Sequence, residues 1–189
     1  MGACPIIETV VTTINPDGGV NCAAMGVEWG EERIVIKPYR GTRTLRNLRA
    51  TEAGVVNLTD DILLFSQAAL GDPHPPTHRA AGVDGAVLDD ACSWREVRVE
   101  GIDDGESRAR VSTVVVGGGS GREFLGFNRA RHAVLEASIL ASRAGLLDAG
   151  DIRAELRRLQ ALVDKTAGPR EREAMAYVTR HVLGGIGVP

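Results

Sequence analysis

The chain has 189 residues, a net charge of −3, 43% hydrophobic and 25% charged residues. That composition excludes an intrinsically disordered chain and leaves no overall positive field to recruit nucleic acid or an anionic membrane. No apolar run approaches the roughly 20 residues that cross a bilayer. Cys4, Cys22 and Cys92 are odd in number and far apart, which fits neither a disulfide framework nor a metal knuckle. The start, Met-Gly-Ala-Cys-Pro, has no basic region followed by an apolar stretch, so no signal peptide is expected. The expected location is a reducing cytoplasm.

The chain reads first as strands. Ile6 to Ile14 is a β-branched run, and it stops at Asn15-Pro16-Asp17-Gly18-Gly19, a turn by composition. A second strand is expected from Val20 to Trp29 and a third from Arg33 to Lys37, making an antiparallel meander. After Pro38-Tyr39-Arg40-Gly41 a short helix is expected from Thr42 to Thr51, then a buried strand from Gly54 to Leu58. Thr59 or Asp60 is placed to cap a helix carrying Ile62, Leu63 and Phe65. Residues 71–90 read as a long irregular connection rich in proline and glycine. Two strands, Cys92 to Ile102 and Arg108 to Val116, complete about six or seven, enough for a small closed barrel.

The rest reads as helix. Phe127, Ala130, Val134, Ala137 and Ala141 form one apolar stripe, and Leu135, Ile139 and Leu146 another. Asp148 or Asp151 opens a second helix with Ile152, Leu156, Leu159 and Val163 inward. Pro169 starts a third, with Met175, Val178 and Val182 facing a core. The fold class is therefore α+β: a small antiparallel β-barrel over residues 1–120, then a small three-helix domain over 121–189.

Three stretches carry candidate chemistry. Arg40, Arg43 and Arg46, with the hydroxyls of Thr42 and Thr44, gather where a strand passes into a helix. Free N–H groups at a helix start and guanidinium forks beside them suit a phosphate, although a solvated basic helix face accounts for the same residues. Asn21-Cys22-Ala23-Ala24-Met25-Gly26 offers small side chains against which a flat ring can lie, or simple tight packing. Asn57, Thr59 and Asp60 put polar groups at the end of a buried strand, where helix capping is the plain alternative.

Other signals are declined. Gly117-Gly118-Gly119-Ser120-Gly121 has neither dinucleotide spacing nor a Gly-Lys-Ser/Thr ending, and reads as a flexible join. His74 and His78 are separated by Pro75 and Pro76, which forbid the helix that would aim both at one metal. No serine or cysteine has a recognisable base and oxyanion loop beside it.

Taken together, Ile7-Glu8-Thr9-Val10-Val11-Thr12-Thr13, Asn21…Met25-Gly26-Val27, Pro38-Tyr39-Arg40…Thr42-Arg43-Thr44…Asn47-Leu48, Val56-Asn57-Leu58-Thr59-Asp60-Asp61 and Gly126-Phe127-Asn128-Arg129-Ala130 resemble a family of flavin-reductase-like proteins. Its members have an FMN-binding split barrel followed by a small helical domain, and the resemblance covers nearly the whole chain. It implies FMN as cofactor and a homodimer with the flavin at the subunit interface. It also implies Arg40, Thr42, Arg43, Thr44 and Asn47 at the phosphate and ribityl chain. Asn21, Ala24, Met25 and Gly26 become ring neighbours, with Asn57 and Thr59 as polar supports. Two functions stay open: an FMN-dependent oxidoreductase fed by NADH, NADPH or another small donor, and a non-catalytic module for FMN or another flat phosphorylated ligand. The connection 71–90 is the expected cover over the ring, with His74 or His78 facing it.

Overall fold

The computed structural model describes residues 4–105 and 107–185; Met1, Gly2 and Ala3, read above for targeting, lie outside them. The chain forms two compact units. One holds the positions up to Thr59 and Asp72–Glu123; the other holds Asp60–Gly71 and the chain from Phe124.

The first unit begins with β1 (Ile6–Ile14) and β2 (Val20–Glu28), paired antiparallel from Ile6↔Glu28 to Ile14↔Val20. The turn between them has the expected form: Asn15 N donates to Gly19 O at 2.8 Å, and Gly18 sits at φ 83°, a conformation glycine adopts freely. β3 (Arg33–Ile36) follows, then α1 (Arg43–Thr51) and β4 (Ala53–Leu58). Later come β5 (Thr77–Arg79), β6 (Ala86–Leu88), β7 (Ser93–Asp104) and β8 (Ala109–Ser120). Six strands close an antiparallel barrel in the order β1-β2-β3-β8-β7-β4. Val11, Val27, Ile34, Ile36, Val56 and Val97 fill it, and Leu45 and Leu48 of α1 join the same core. Closure leaves no barrel strand with an open edge.

Two expectations for this unit are corrected. The connection 71–90 is not irregular throughout: β5 and β6 pair as a small hairpin, and its Ala80, Val83 and Val87 pack with Ala53 and Val55. It is tied down by Thr12 Oγ1 donating to Ala86 O at 2.5 Å and by Leu88 N donating to Asn57 Oδ1 at 3.0 Å. The carboxylate of Glu96, itself 3% exposed, accepts from the backbone of Ala81 and Gly82. The glycine run is not a flexible join either. Gly117, Gly118 and Gly119 are strand residues of β8, opposite Glu96, Arg95 and Trp94. A side chain at Gly119 would collide with the Trp94 indole.

The second unit takes α2 (Ile62–Leu70) from the middle of the chain and packs it with α3 (Arg129–Ala141), α4 (Ala149–Thr166) and α5 (Pro169–Gly185). The alanines at 130, 133, 137 and 141 are buried on α3, where small side chains permit close helix approach. Ser138 Oγ lies 2.9 Å from Ser66 Oγ, joining α3 to α2. Asp61, not Thr59 or Asp60, caps α2, accepting from Leu63 N at 3.1 Å and Leu64 N at 3.2 Å. Asp60 is drawn instead to Arg131 Nη1 at 2.6 Å, and Glu171 holds the other side of the same guanidinium at 2.9 Å. Asn128 caps α3, and of the two candidates Asp148 and Asp151 it is Asp148 that caps α4. Phe127 is 90% exposed and Leu146 86%, because the first precedes the cap of α3 and the second lies in a 3₁₀ turn after the helix has ended. No helix among the described residues is long and apolar enough to cross a membrane, and none of their acidic, His and Cys groups cluster to hold a metal.

Candidate functional site

The helix start at α1 is built by its cap. Thr42 has extended backbone, and its hydroxyl accepts from Leu45 N at 3.4 Å while donating to Tyr39 O at 2.8 Å. From there Leu45 and Leu48 turn into the barrel, which leaves Arg43 and Arg46, three residues apart, on the outward face. These arginines and Asn47 line a cleft of about 510 Å³, whose other wall is the β1–β2 turn with Asn15 and Asp17. Asp72 and His74, from the segment that leads into β5, complete it.

Beneath the cleft lies a buried polar knot. The Thr13 hydroxyl accepts from Asn21 Nδ2 at 3.2 Å and from Asn47 Nδ2 at 3.0 Å. Asn21 also donates to Thr44 Oγ1 at 3.1 Å, and Asn47 to Asn15 Oδ1 at 2.8 Å. Buried amides and hydroxyls are stable only when so paired, and the pairing fixes α1 against both strands of the first hairpin. Above the knot the charges face each other: Arg43 Nη1 is 2.6 Å from Asp72 Oδ2, and Arg46 Nη1 donates to Gly41 O at 2.5 Å. Burial first, and then the negative charge of Asp72, push the Cys22 thiol of β2 up to about 11. That sulfur stays protonated at neutral pH.

The structure thus gathers Arg43 and Asn47 in the cleft and sets Asn21 and Thr44 directly below. Thr42 shapes the helix start without lining the cleft. Arg40 is exposed in the turn before α1, where its backbone N donates to Ser107 O at 3.2 Å. The neighbouring Tyr39 is covered by Arg108, whose guanidinium lies 4.1 Å from the ring centroid. Ala24, Met25 and Gly26 lie further along β2, the strand whose first residue, Val20, lines the cleft. Thr9 Oγ1 donates to Met25 O at 3.0 Å, and the place of a Gly26 side chain is taken by Ile6 and Glu8 of β1. Asn57 is spent on structure: its Nδ2 donates to Val10 O at 3.0 Å and Thr12 Oγ1 at 3.1 Å, and its Oδ1 accepts from Leu88 N. Thr59 stands half-buried just beyond β4.

Asp72, Asn15 and Asp17 were not among the residues read as site candidates, whereas His74, expected to face the ring, does line the cleft. The turn Asn15–Gly19 carried a signal, since polar turn residues followed by small strand residues face whatever docks beside the strand. His78 is not in the cleft. Its Nδ1 is 2.8 Å from Asp89 Oδ1, and its ring meets Trp94 edge-on at 5.9 Å.

Comparison with solved structures finds the same fold along the whole chain in an FMN-bound protein from Methanosarcina mazei, with a TM-score of 0.82, 22% identity, and coverage of 94% of this chain and 95% of that one. The barrel portion also matches the styrene monooxygenase flavin reductase of Pseudomonas putida, at TM-score 0.54 and 17% identity over 61% of this chain and 80% of the other. A flavoredoxin from Methanosarcina acetivorans matches at TM-score 0.53 and 12% identity over 64% and 72%. Two family models divide the chain as its composition does: the N-terminal domain of the protein of unknown function DUF447 matches residues 7–122, and its C-terminal counterpart matches 128–180. The chain belongs to the DUF447 family.

Proposed function

We propose that this chain binds FMN and acts as a flavin-reductase-like oxidoreductase. The observation that carries the reading is the cleft at α1, where two outward arginines one helical turn apart stand over a rigid floor of paired amides and hydroxyls. Arg43 and Arg46 are the phosphate ligands, supported by the positive end of the α1 dipole. Asn47 and Asn15 face the ribityl chain. The ring lies along β2 toward Ala24 and Met25, whose strand starts at the cleft. The donor set, two arginines on one helix turn, suits a single phosphate group. The FMN-bound family member from Methanosarcina mazei supports the choice of ligand.

Bound FMN supplies hydride and electron transfer, and the protein's part is to position it, exclude water and hydrogen-bond its edges. No acid or base side chain is obligatory for that chemistry. The reading extends to a homodimer and to NADH or NADPH as reductant. The exposed Phe124, Leu125 and Phe127, at 52%, 73% and 90%, support association of two copies. Sedimentation at micromolar concentration tests it, and a monomer that still holds flavin argues against it.

The test of function is spectral. Titration with FMN, riboflavin and FAD should favour FMN, and Arg43→Ala with Arg46→Ala should weaken FMN by about 1.5–3 kcal/mol per charged bond lost. Equal affinity for FMN and riboflavin would remove the phosphate from the cleft. Anaerobic NADH or NADPH should bleach the bound flavin. A protein that binds FMN and resists every nicotinamide donor fits the second reading, a module that holds FMN without turnover.

A further inference from the structure

Arg43 already has an anion. Its Nη1 lies 2.6 Å from Asp72 Oδ2, inside the cleft proposed for the phosphate, and both side chains remain about half exposed, at 45% and 44%. The other polar groups of the cleft, His74 apart, have partners of their own. Arg46 is turned back onto Gly41 O, Asp17 Oδ1 accepts from Gly19 N at 3.0 Å, and Asn47 is held by Thr13 and Asn15. Asp72 is also not held in place by a helix or a barrel strand; it lies between α2 and β5.

We propose that Asp72 is a built-in competitor for the phosphate of the ligand: it occupies the anion seat on Arg43 and yields it to a phosphate monoester. The inference rests on the reading of the cleft as a phosphate site. Its physics is an exchange of anions. A half-exposed ion pair is weak, so a doubly charged phosphate with three acceptor oxygens displaces a singly charged carboxylate. A neutral ligand offers Arg43 nothing in return, and a monoanion offers only a second carboxylate's worth. The attraction of Arg43 for phosphate is what discriminates FMN from riboflavin, and the carboxylate sets the strength an anion needs to take the seat. After exchange Asp72 is a like charge beside the phosphate, which holds affinity below what the arginines alone would give.

Asp72→Asn tests this, because it keeps the shape and removes the charge. Calorimetric titration of wild type and variant with FMN, inorganic phosphate and riboflavin should show FMN and phosphate bound about three- to tenfold tighter by the variant, with riboflavin unchanged. In an Arg43→Ala background the gain from Asp72→Asn should shrink to less than twofold. Weaker or unchanged binding of both phosphorylated probes overturns the inference, since it makes Asp72 a support for Arg43 and not its competitor. Tighter phosphate without any FMN binding upholds the exchange and rejects FMN as the ligand. Failure of both proteins to bind either phosphorylated probe overturns both readings.

Discussion

Arg110 on β8 reaches across the strand between them to grip Glu28 on β2, its terminal nitrogens 3.0 and 2.7 Å from the two carboxylate oxygens. Lys37 pairs with the same carboxylate. The hydrogen bonds of Arg110 and then of Lys37 hold Glu28 down to about 2, from an ordinary value of 4.5. A carboxyl whose pKa is lowered by folding contributes stability that is complete above its unfolded value and lost as pH falls toward the folded one. The urea midpoint should therefore fall between pH 4.5 and pH 2, and Glu28→Gln should flatten that part of the curve. Parallel curves for wild type and variant would show that other carboxylates carry the acid limb.

Gly119 is present because Trp94 is. Gly119→Ala should destabilise the barrel by about 1–3 kcal/mol, since the added methyl must displace an indole packed on the strand. Gly101→Ala is the control, because nothing lies within 4 Å of the added group there. Urea titration followed by tryptophan emission measures both. Equal midpoints for the two variants would mean that Trp94 swings away freely.

The Thr13 hydroxyl is the shared acceptor of two buried amides. Thr13→Val should cost about 1–3 kcal/mol, because one donor on each asparagine loses its partner in a site closed to water. Thr13→Ser should restore most of the loss. If valine is tolerated as well as serine in denaturant titrations, the knot is not what fixes α1.

Cys22 should resist iodoacetamide at pH 8, being 3% exposed with its thiol pushed up to about 11. Cys4, which is exposed, should be alkylated at the rate of a free thiol. Peptide mass spectrometry after a short pulse distinguishes them, and urea should abolish the difference. Rapid native labelling of Cys22 would reveal opening of β2 near the cleft.

What the sequence disclosed was whatever is locally encoded. The run Ile6–Ile14 ending in Asn-Pro-Asp-Gly-Gly fixes a hairpin through its own residues, and Thr42, Asn128 and Asp148 announce helix starts by the same logic. β5 and β6 were invisible because three residues are too few to display alternation. Gly117–Gly119 misled because glycine serves mobility and close approach equally, and only Trp94, far away in sequence, decides which. In the cleft, Arg43 and Asn47 stood out by composition. Arg40 looked equivalent but precedes the helix, so the periodicity that aligns Arg43 with Arg46 does not extend to it. Asp72 had no signal, since only folding brings its segment beside α1; His74 was read only as one of two histidines in the connection 71–90.

The helical unit borrows α2 from within the barrel's sequence, so the chain passes between the units at Thr59, again at Gly71 and again at Glu123. During synthesis α2 leaves the ribosome long before α3, α4 and α5 exist to cover its Ile62, Leu63 and Phe65. Until those helices are made, the apolar face of α2 has no covering from its own unit, a surface prone to association. A deletion that removes everything after Glu123 would freeze the protein in that aggregation-prone condition.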